Sequence, residues 1–153
     1  MGKKLIAVII LFSFHLSAQD KGFGLGFIAG EPTGISMKIW LGSKNAIDAG
    51  VAWSFVNKSS LHIHADYLYH FEVIKVSEGK LPFYTGIGGR LKLKNENKSL
   101  ADNRIGVRVP LGINYIFADA PLDIFLEIVP VIDLSPKTDM TFNSALGARY
   151  FFK

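Results

Sequence analysis

The side chains that could do chemistry concentrate in one stretch, HIHADYLYH, at residues 62–70. His62, His64, Asp66 and His70 share one face if the stretch is a β-strand, because strand side chains alternate with period two. Two histidines at i and i+2 can share a metal ion, and an aspartate can add an oxygen ligand. One strand rarely supplies a complete metal site. We therefore expect no metal or other cofactor, and imidazoles that join a network of hydrogen bonds and ion pairs.

A hydrolytic site is the second hypothesis for this region. Ser54 and Ser60 lie close in sequence to His62 and Asp66, and a barrel enzyme acting on lipid A would need a serine, a histidine and a carboxylate near one rim. No nucleophile-elbow motif accompanies them, and serines beside a hairpin are usually turn residues. We expect a non-catalytic protein, with a lipid A-modifying enzyme as an alternative.

The elements that position these residues are predicted to be β-strands. In RIGVRVPLGINYIF, residues 104–117, every odd position is uncharged and both arginines fall on even positions. Strict alternation of this kind predicts a strand with one apolar face and one polar face. The same pattern recurs between clusters of turn-forming residues, and it predicts eight strands at 22–29, 34–41, 46–55, 60–71, 81–93, 104–117, 122–134 and 141–152.

The connections between these strands are short, and 72–80 is interpreted as one of them. An even number of strands with short connections predicts an all-β fold, an eight-stranded antiparallel up-and-down β-barrel. Pro110 and Pro130 are the weakest fit, because proline inside a strand removes a donor from the ladder. We expect a bulge or a local break in pairing where they face each other.

The polar face carries glycine together with charges of both signs, a composition that suits a narrow interior in which buried charges are paired. We expect Arg108 to lie beside Glu127 and Asp66, and Arg104 near the outer mouth. The predicted ion network of the lumen comprises Lys38, Asp48, His62, His64, Asp66, Arg90, Arg108, Asp123, Glu127 and Arg149.

The aromatic residues of the apolar face gather at strand ends, as in the girdles of transmembrane barrels. One rim is predicted to carry Phe23, Tyr69, Phe71, Phe83, Tyr115, Phe117, Tyr150 and Phe152. The opposite rim is predicted to carry Trp53, Phe55 and Phe142. A soluble barrel has no reason to sort its aromatics in this way, so the apolar face is predicted to be a lipid-facing exterior.

The N-terminus has the layout of a secretory signal. Lys3 and Lys4 precede an apolar run from Leu5 to Leu16, which is too short to span a membrane, and small residues follow. We therefore expect a signal peptide at 1–18 and an outer-membrane barrel at 19–153. Without the two signal lysines, 15 basic residues face 13 acidic ones, so we expect no nucleic acid partner. The sequence has no cysteine, which excludes disulfides and a lipid-modified N-terminal cysteine.

The chain resembles small outer-membrane β-barrels of the OmpA/OmpX transmembrane type, and more closely a spirochaete family of small surface barrels. The resemblance rests on the runs GEPTGISMKIWL, AIDAGVAWSF, LHIHADYLYHF, YTGIGGR, RIGVRVPLGINYIF and PLDIFLEIVPVIDL. It implies residence in the cell outer membrane. The last strand, ALGARYFFK, resembles the C-terminal signal that the barrel-assembly machinery recognises, although Lys153 follows the usual terminal aromatic. We expect no peptidoglycan-binding domain after it.

The expected function is a structural role in the envelope for a monomer whose lumen is filled by side chains, with outer-membrane lipid as its surroundings. One alternative is binding of host or envelope molecules by loops on one side, with a small patch made by Lys58, Lys94, Lys98 and Lys137. Those loops contain EPTG, NKSS, NENKSLADN and SPKTDM. A narrow, porin-like pore is the remaining alternative.

Overall fold

The computed structural model describes residues 22–31, 33–54, 60–94 and 103–152, and within them nearly every residue belongs to an antiparallel strand. None of these residues forms a helix long and apolar enough to cross a membrane. The strands are β1 (Gly22–Glu31), β2 (Thr33–Trp40), β3 (Asn45–Ser54), β4 (Ser60–Val76), β5 (Gly79–Lys94), β6 (Arg104–Arg108), β7 (Leu111–Phe117), β8 (Leu122–Ser135) and β9 (Asp139–Phe152).

The strands close into a ring. Each strand from β1 to β5 pairs with the next one in sequence, and β8 pairs with β9, which pairs back to β1. Between β5 and β8, the short strands β6 and β7 occupy one position end to end, because both pair with β5 and with β8. The prediction of an all-β antiparallel fold is confirmed, and the described residues form a ring of eight strand positions.

The predicted strand at 104–117 is divided in two at Pro110. This residue has no N–H to donate, and its carbonyl oxygen accepts from the Gly86 N–H at 3.1 Å. The Val109 N–H donates to the Pro130 carbonyl at 3.0 Å, so the two proline segments face each other. Pro130 itself stays inside β8, paired with Phe142. The predicted break is therefore confirmed on one of the two strands.

The interpretation of 72–80 as a connection was wrong. β4 continues to Val76 and β5 begins at Gly79, so only Ser77 and Glu78 form the turn. A register shift between Phe71 and Val73 inserts one extra residue, and this reverses which positions face outwards. Ile74 is consequently exposed although it is an even position. The period-two pattern broke at this bulge, and for that reason the strand signal was missed.

The stagger of the ring follows from its pairing register. A walk through directly paired residues leaves β8 at Leu122 and returns to β8 at Ile132, ten residues further on. The residues passed in between are Tyr150, Leu25, Met37, Ala49, Ala65, Gly89 and Val107. With strands about 4.8 Å apart and about 3.3 Å per residue, this stagger gives a tilt of about 40° and a backbone radius of about 8 Å.

This geometry separates two ends of the ring. The base end is the end at which β4 meets β5, β7 meets β8 and β9 finishes; the mouth end is the end at which β6 and β9 begin. The two faces of the wall differ sharply: large apolar side chains such as Leu126 and Ile128 are exposed on the outside. Charged side chains such as Lys38, Asp123 and Arg149 are buried on the inside. The fold thus places the hydrophobic residues outwards and the ionisable ones inwards.

Candidate functional site in the barrel interior

Arg149 on β9 lies between two buried carboxylates and is fully enclosed. Its Nε and Nη2 donate to the two carboxylate oxygens of Asp123 at 3.0 and 3.1 Å, and Asp123 is its direct cross-strand neighbour. Its Nη1 crosses the interior to Asp48 on β3 at 2.6 Å. The guanidinium also stacks over Phe125, with 4.1 Å from its carbon to the ring centroid. One cation therefore neutralises two buried carboxylates from opposite sides of the ring.

Lys38 lies directly opposite Asp48 in the sheet, yet it takes different partners. Its Nζ is 2.8 Å from Nε2 of His70 and 4.3 Å from the ring centroid of Trp40. Nδ1 of His70 lies 3.0 Å from the Lys44 carbonyl oxygen, so Nδ1 must carry the proton and Nε2 must accept from the lysine. The Lys38 amine is thus held by an imidazole and an aromatic face, while Arg149 binds the Asp48 carboxylate opposite it.

Arg108 lies beside Asp66 and Glu127, the two neighbours that the sequence pattern predicted. Its Nε is 2.9 Å from Asp66 Oδ1 and its Nη2 is 3.5 Å from Glu127 Oε1. Glu127 also accepts a hydrogen bond from the Tyr84 hydroxyl at 2.8 Å. The N–H of Arg108 Nε does not point at the Asp66 oxygen, so this contact is a close ion pair without hydrogen-bond geometry.

Towards the mouth end, Arg90 and Asp133 form a bidentate pair. Nε and Nη2 of Arg90 lie 3.0 and 2.7 Å from the two oxygens of Asp133. Arg104, whose side chain is 31% exposed, reaches the same carboxylate at 3.4 Å. His64 approaches Asp48 at 3.8 Å, and His62 approaches Ser60 at 3.4 Å. The predicted network residues are therefore distributed among several clusters along the barrel axis.

Near the base end, large apolar and aromatic side chains pack among the buried charges. Trp40, Leu68, Tyr84 and Phe125 are buried together, and Phe151 packs against them. Glycines on the same face make room for these large side chains. A Cβ at Gly112 would overlap the Tyr84 ring, and a Cβ at Gly24 would overlap the Phe151 ring. We call the group of Trp40, Leu68, Tyr84, Phe125 and Phe151 the base plug.

Gly112→Ala is expected to destabilise the barrel by about 1–3 kcal/mol, because the added methyl group overpacks the interior against Tyr84. Urea unfolding of the refolded protein measures this change in the free energy of unfolding. Gly42→Ala is the matched control, since a Cβ at Gly42 meets nothing within 4 Å. The control should match the wild type or gain up to about 1 kcal/mol. Equal losses in both variants would contradict a packed interior.

Among the described side chains, Ser60, His62 and Asp66 do not form a hydrolytic triad. His62 is near the Ser60 hydroxyl, but the ion pair of Asp66 is with Arg108. The side chain of Ser54 lies outside the described part of the structure. In the described ranges no set of three or more His, Cys, Asp or Glu side chains is arranged to hold a metal ion. A cavity of about 20 Å³ lies beside His64, Arg108 and Glu127, room for about one water molecule.

The aromatic residues predicted as girdles fall at two levels of the outer face, and two further exposed aromatics, Phe27 and Tyr67, lie between these levels by the same register. On strands tilted by about 40°, each residue advances about 2.5 Å along the barrel axis, so the register places the predicted lower girdle within about 9 Å of height. Trp53 and Phe142 lie about 20 Å above that group by the same conversion. Phe55 lies outside the described residues. In the lower group Tyr115 packs edge-on against Phe117, with 4.7 Å between ring centroids.

Asp133 and Tyr84 are interior residues that were absent from the network predicted from the sequence. Asp133 is the partner of Arg90, and Tyr84 is the partner of Glu127. Asp133 fits the alternation of its strand and carries a charge, so the sequence pattern was sufficient to predict it as a member of the network. Tyr84 occupies an even position among inward-facing residues of β5, but aromatic residues were assigned to the outside. The pattern therefore located charges better than it located inward aromatics.

Comparison with known proteins supports the fold and adds a family. The crystal structure of the N-terminal β-barrel domain of Pseudomonas aeruginosa OprF is similar to this chain with a TM-score of 0.66 and 13% sequence identity. The similarity covers 85% of this chain and 95% of that one. No curated protein matches the sequence. A family model described as "Protein of unknown function (DUF3996)" matches residues 15–152. The chain therefore belongs to the DUF3996 family.

Proposed function

We propose that this protein is a transmembrane β-barrel of a bacterial outer membrane, with a structural role in the envelope and no catalytic site. A signal peptide at 1–18 directs its export, and the barrel-assembly machinery recognises its last strand. Within this proposal the protein is a monomer surrounded by outer-membrane lipid. The sequence runs resemble those of small spirochaete surface barrels, which supports this proposal, and the OprF-like barrel fold is consistent with an outer-membrane location.

The observation that carries the proposal is that apolar side chains cover the outside of the ring while charged side chains are buried inside it. Leu126, Ile128 and Leu146 are more than half exposed, while Lys38, Asp123 and Arg149 are at most 1% exposed. In water this arrangement would expose a continuous apolar band and bury charges, at high cost on both counts. In a bilayer the same band faces hydrocarbon between aromatic girdles, and a closed ring satisfies its backbone groups.

Membrane insertion is tested by folding the mature chain from urea into preformed lipid vesicles. Migration in gel electrophoresis that changes on heating, together with β-rich circular dichroism, is the expected result. A chain that folds and stays monodisperse in buffer without lipid or detergent would contradict the proposal. Fractionation of cells that produce the exported protein then tests the location, with the outer-membrane fraction as the expected site.

The filled interior supports a structural role over a pore. An eight-stranded ring has an interior that side chains can fill, and here the base plug packs together with paired charges in that interior. We expect no large, stable channels when the refolded protein is added to planar bilayers. Large channels of uniform conductance would favour the pore alternative instead. A change in the lipid A profile caused by the wild type and lost in His62→Ala would favour the enzyme alternative.

Loop-mediated binding is the other alternative. It requires that the loops are exposed at the cell surface, and proteolysis of intact cells tests this exposure. The connection that contains Lys137 is described throughout and is exposed at the mouth end. Lys58 and Lys98 lie outside the described residues, as does most of each loop that carries them. Cleavage in these loops by added protease in intact cells would favour exposure at the surface; complete protection would contradict it.

A further inference from the structure

The wall of the ring is low where β1 passes into β2. β1 ends at Glu31 and β2 begins at Thr33, so one residue joins them at the mouth end. The partner of Glu31 on β9 is Ser144, but β9 already begins at Asp139 and therefore extends further towards the mouth. We call the mouth ends of β1 and β2, residues 29–31 and 33–35, the low rim.

The pairing register gives the height of each outward-facing residue along the barrel axis. Each residue along a strand rises about 2.5 Å, and each direct partner in the order β8, β9, β1, β2 lies about 3 Å nearer the mouth end. With Leu122 of β8 taken as the origin, Leu134 of the same strand lies at about 30 Å. Phe23 and Ala29 of β1 lie at about 1 and 16 Å. All four are exposed, so the apolar outer face is about 15 Å tall on β1 and about 30 Å tall on β8.

β2 repeats the short apolar face of β1. Its apolar outward side chains run from Leu41 up to Ile35, at about 14 Å, and the next outward residue is Thr33, at about 19 Å. Trp53 on β3 and Phe142 on β9 lie at about 23 Å on the two sides of the low rim. The apolar face of β1 and β2 therefore ends below the upper aromatic level that the neighbouring strands carry.

This short face does not match a bilayer that covers the rest of the ring. Transmembrane barrels carry an apolar band about 25 Å tall, whereas the low rim itself ends at about 20 Å. A planar bilayer would immerse Thr33, whose hydroxyl donates to the Gly30 carbonyl oxygen at 2.8 Å, in hydrocarbon. Membranes accommodate a short apolar surface by thinning locally. Tilting the barrel does not remove the mismatch, because β1 and β8 start at nearly the same level at the base end and a tilt shifts both ends of a wall together.

We propose that the low rim is a lipid-contact surface at which the membrane is locally thinned. The partner is the headgroup layer on the mouth side, which lies about 5 Å deeper beside β1 and β2 than around the rest of the ring. This depth is the difference between a band about 25 Å tall and a rim that ends at about 20 Å. The inference rests on the membrane location proposed above and adds to it that one side of the barrel deforms the bilayer.

Spin labels at matched heights test the thinning, because the chain has no cysteine and each cysteine variant carries a single label. Ile35→Cys on β2 and Ile128→Cys on β8 place the label on the outer face at about 14 and 15 Å. The labelled barrels are folded into phosphatidylcholine vesicles. Oxygen concentrates in hydrocarbon and a nickel chelate in water, so their relative effects on the relaxation of the label report its depth. The label at position 35 is expected to lie about 5 Å closer to the headgroups than the label at position 128.

Ile39→Cys and Ile124→Cys are the matched control at the base end, where the two walls start at nearly the same level. Their side chains are 45% and 43% exposed in the wild type, and they lie at about 4 and 5 Å. Equal depths are expected for this pair. A tilt that brought position 35 closer to the mouth-side headgroups would take position 39 further from the base-side headgroups, and that result would overturn the proposal.

The remaining outcomes are also decisive. Equal depths at positions 35 and 128, with both labels in hydrocarbon, overturn the thinning and leave the membrane barrel intact. Four labels that all meet the nickel chelate as freely as in water contradict the membrane location itself. Dipolar broadening at position 35, with shielding from both relaxing agents, would show that a second copy of the chain covers the low rim and would exclude lipid contact. Heat-modifiable migration checks each fold, and Ala29→Cys on β1, at about 16 Å, replaces Ile35→Cys if that variant does not fold.

Discussion

Replacing Leu126 with arginine is expected to reduce the free energy of folding into a bilayer by about 2–4 kcal/mol, because the charge would enter the middle of the lipid-facing band. Leu126 lies on β8 roughly midway between the two aromatic levels, and it is 53% exposed. Equilibrium unfolding in urea from lipid vesicles measures the difference between variant and wild type. This substitution distinguishes a membrane barrel from a soluble one, since an exposed position in a soluble barrel accepts arginine within about 0.5 kcal/mol.

Met140→Arg is the control for that experiment. Met140 is exposed to nearly the same extent, 57%, but it lies on β9 beyond the level of Trp53 and Phe142. Arginine near a membrane interface costs only about 0–1 kcal/mol. Equal effects at the two positions, whether both small or both large, would contradict the proposed position of the bilayer.

The second large effect is expected at Arg149. Arg149→Met removes the one guanidinium that binds both Asp48 and Asp123 and leaves two buried carboxylates without it. Breaking a buried ion pair by removing one partner typically costs about 3–5 kcal/mol. The same urea titration at neutral pH measures the loss, and a failure to fold into vesicles would be its extreme form.

A compensating variant tests the electrostatic reason for this loss. Asp48→Asn and Asp123→Asn, added to Arg149→Met, remove the orphaned charges and should restore much of the lost stability. Arg104→Met serves as the control for loss of an arginine, because the Arg104 side chain is 31% exposed and its closest carboxylate contact is 3.4 Å. If Arg104→Met were as damaging as Arg149→Met, burial of the pair would not be the cause.

The direction of each side chain could be predicted from sequence wherever the alternation was unbroken. Lys38, Asp48 and Arg149 face inwards because each occupies the alternate set of strand positions that carries the polar residues. This alternation can be recognised without knowledge of the neighbouring strand. The pattern failed at the bulge after Phe71, where one inserted residue reverses the parity and places Ile74 on the outside. An inserted residue of this kind interrupts the period-two alternation on which the prediction of side-chain direction depends.

The partners of the inward charges could be predicted only in part. The assignment of Arg108 to Asp66 and Glu127 was correct, although Asp66 is two strands away, across Gly88 of β5, and Glu127 is on the adjacent β8. Lys38 faces Asp48 across the sheet, yet it binds His70 because Arg149 reaches the same carboxylate from the far side. That choice depends on the ten-residue stagger and the radius of the ring, and neither is encoded in the sequence of one strand.

The closure of the ring between β1 and β9 also sets the order in which the molecule can assemble. Arg149 and Asp48 are 101 residues apart in the chain, so their contact is among the most non-local ones and cannot form during early folding. Before β9 is in place, β1 and β8 are open edges and the buried carboxylates lack their cation. Docking of the last strand therefore pairs both open edges and supplies the cation for Asp48 and Asp123 in a single step.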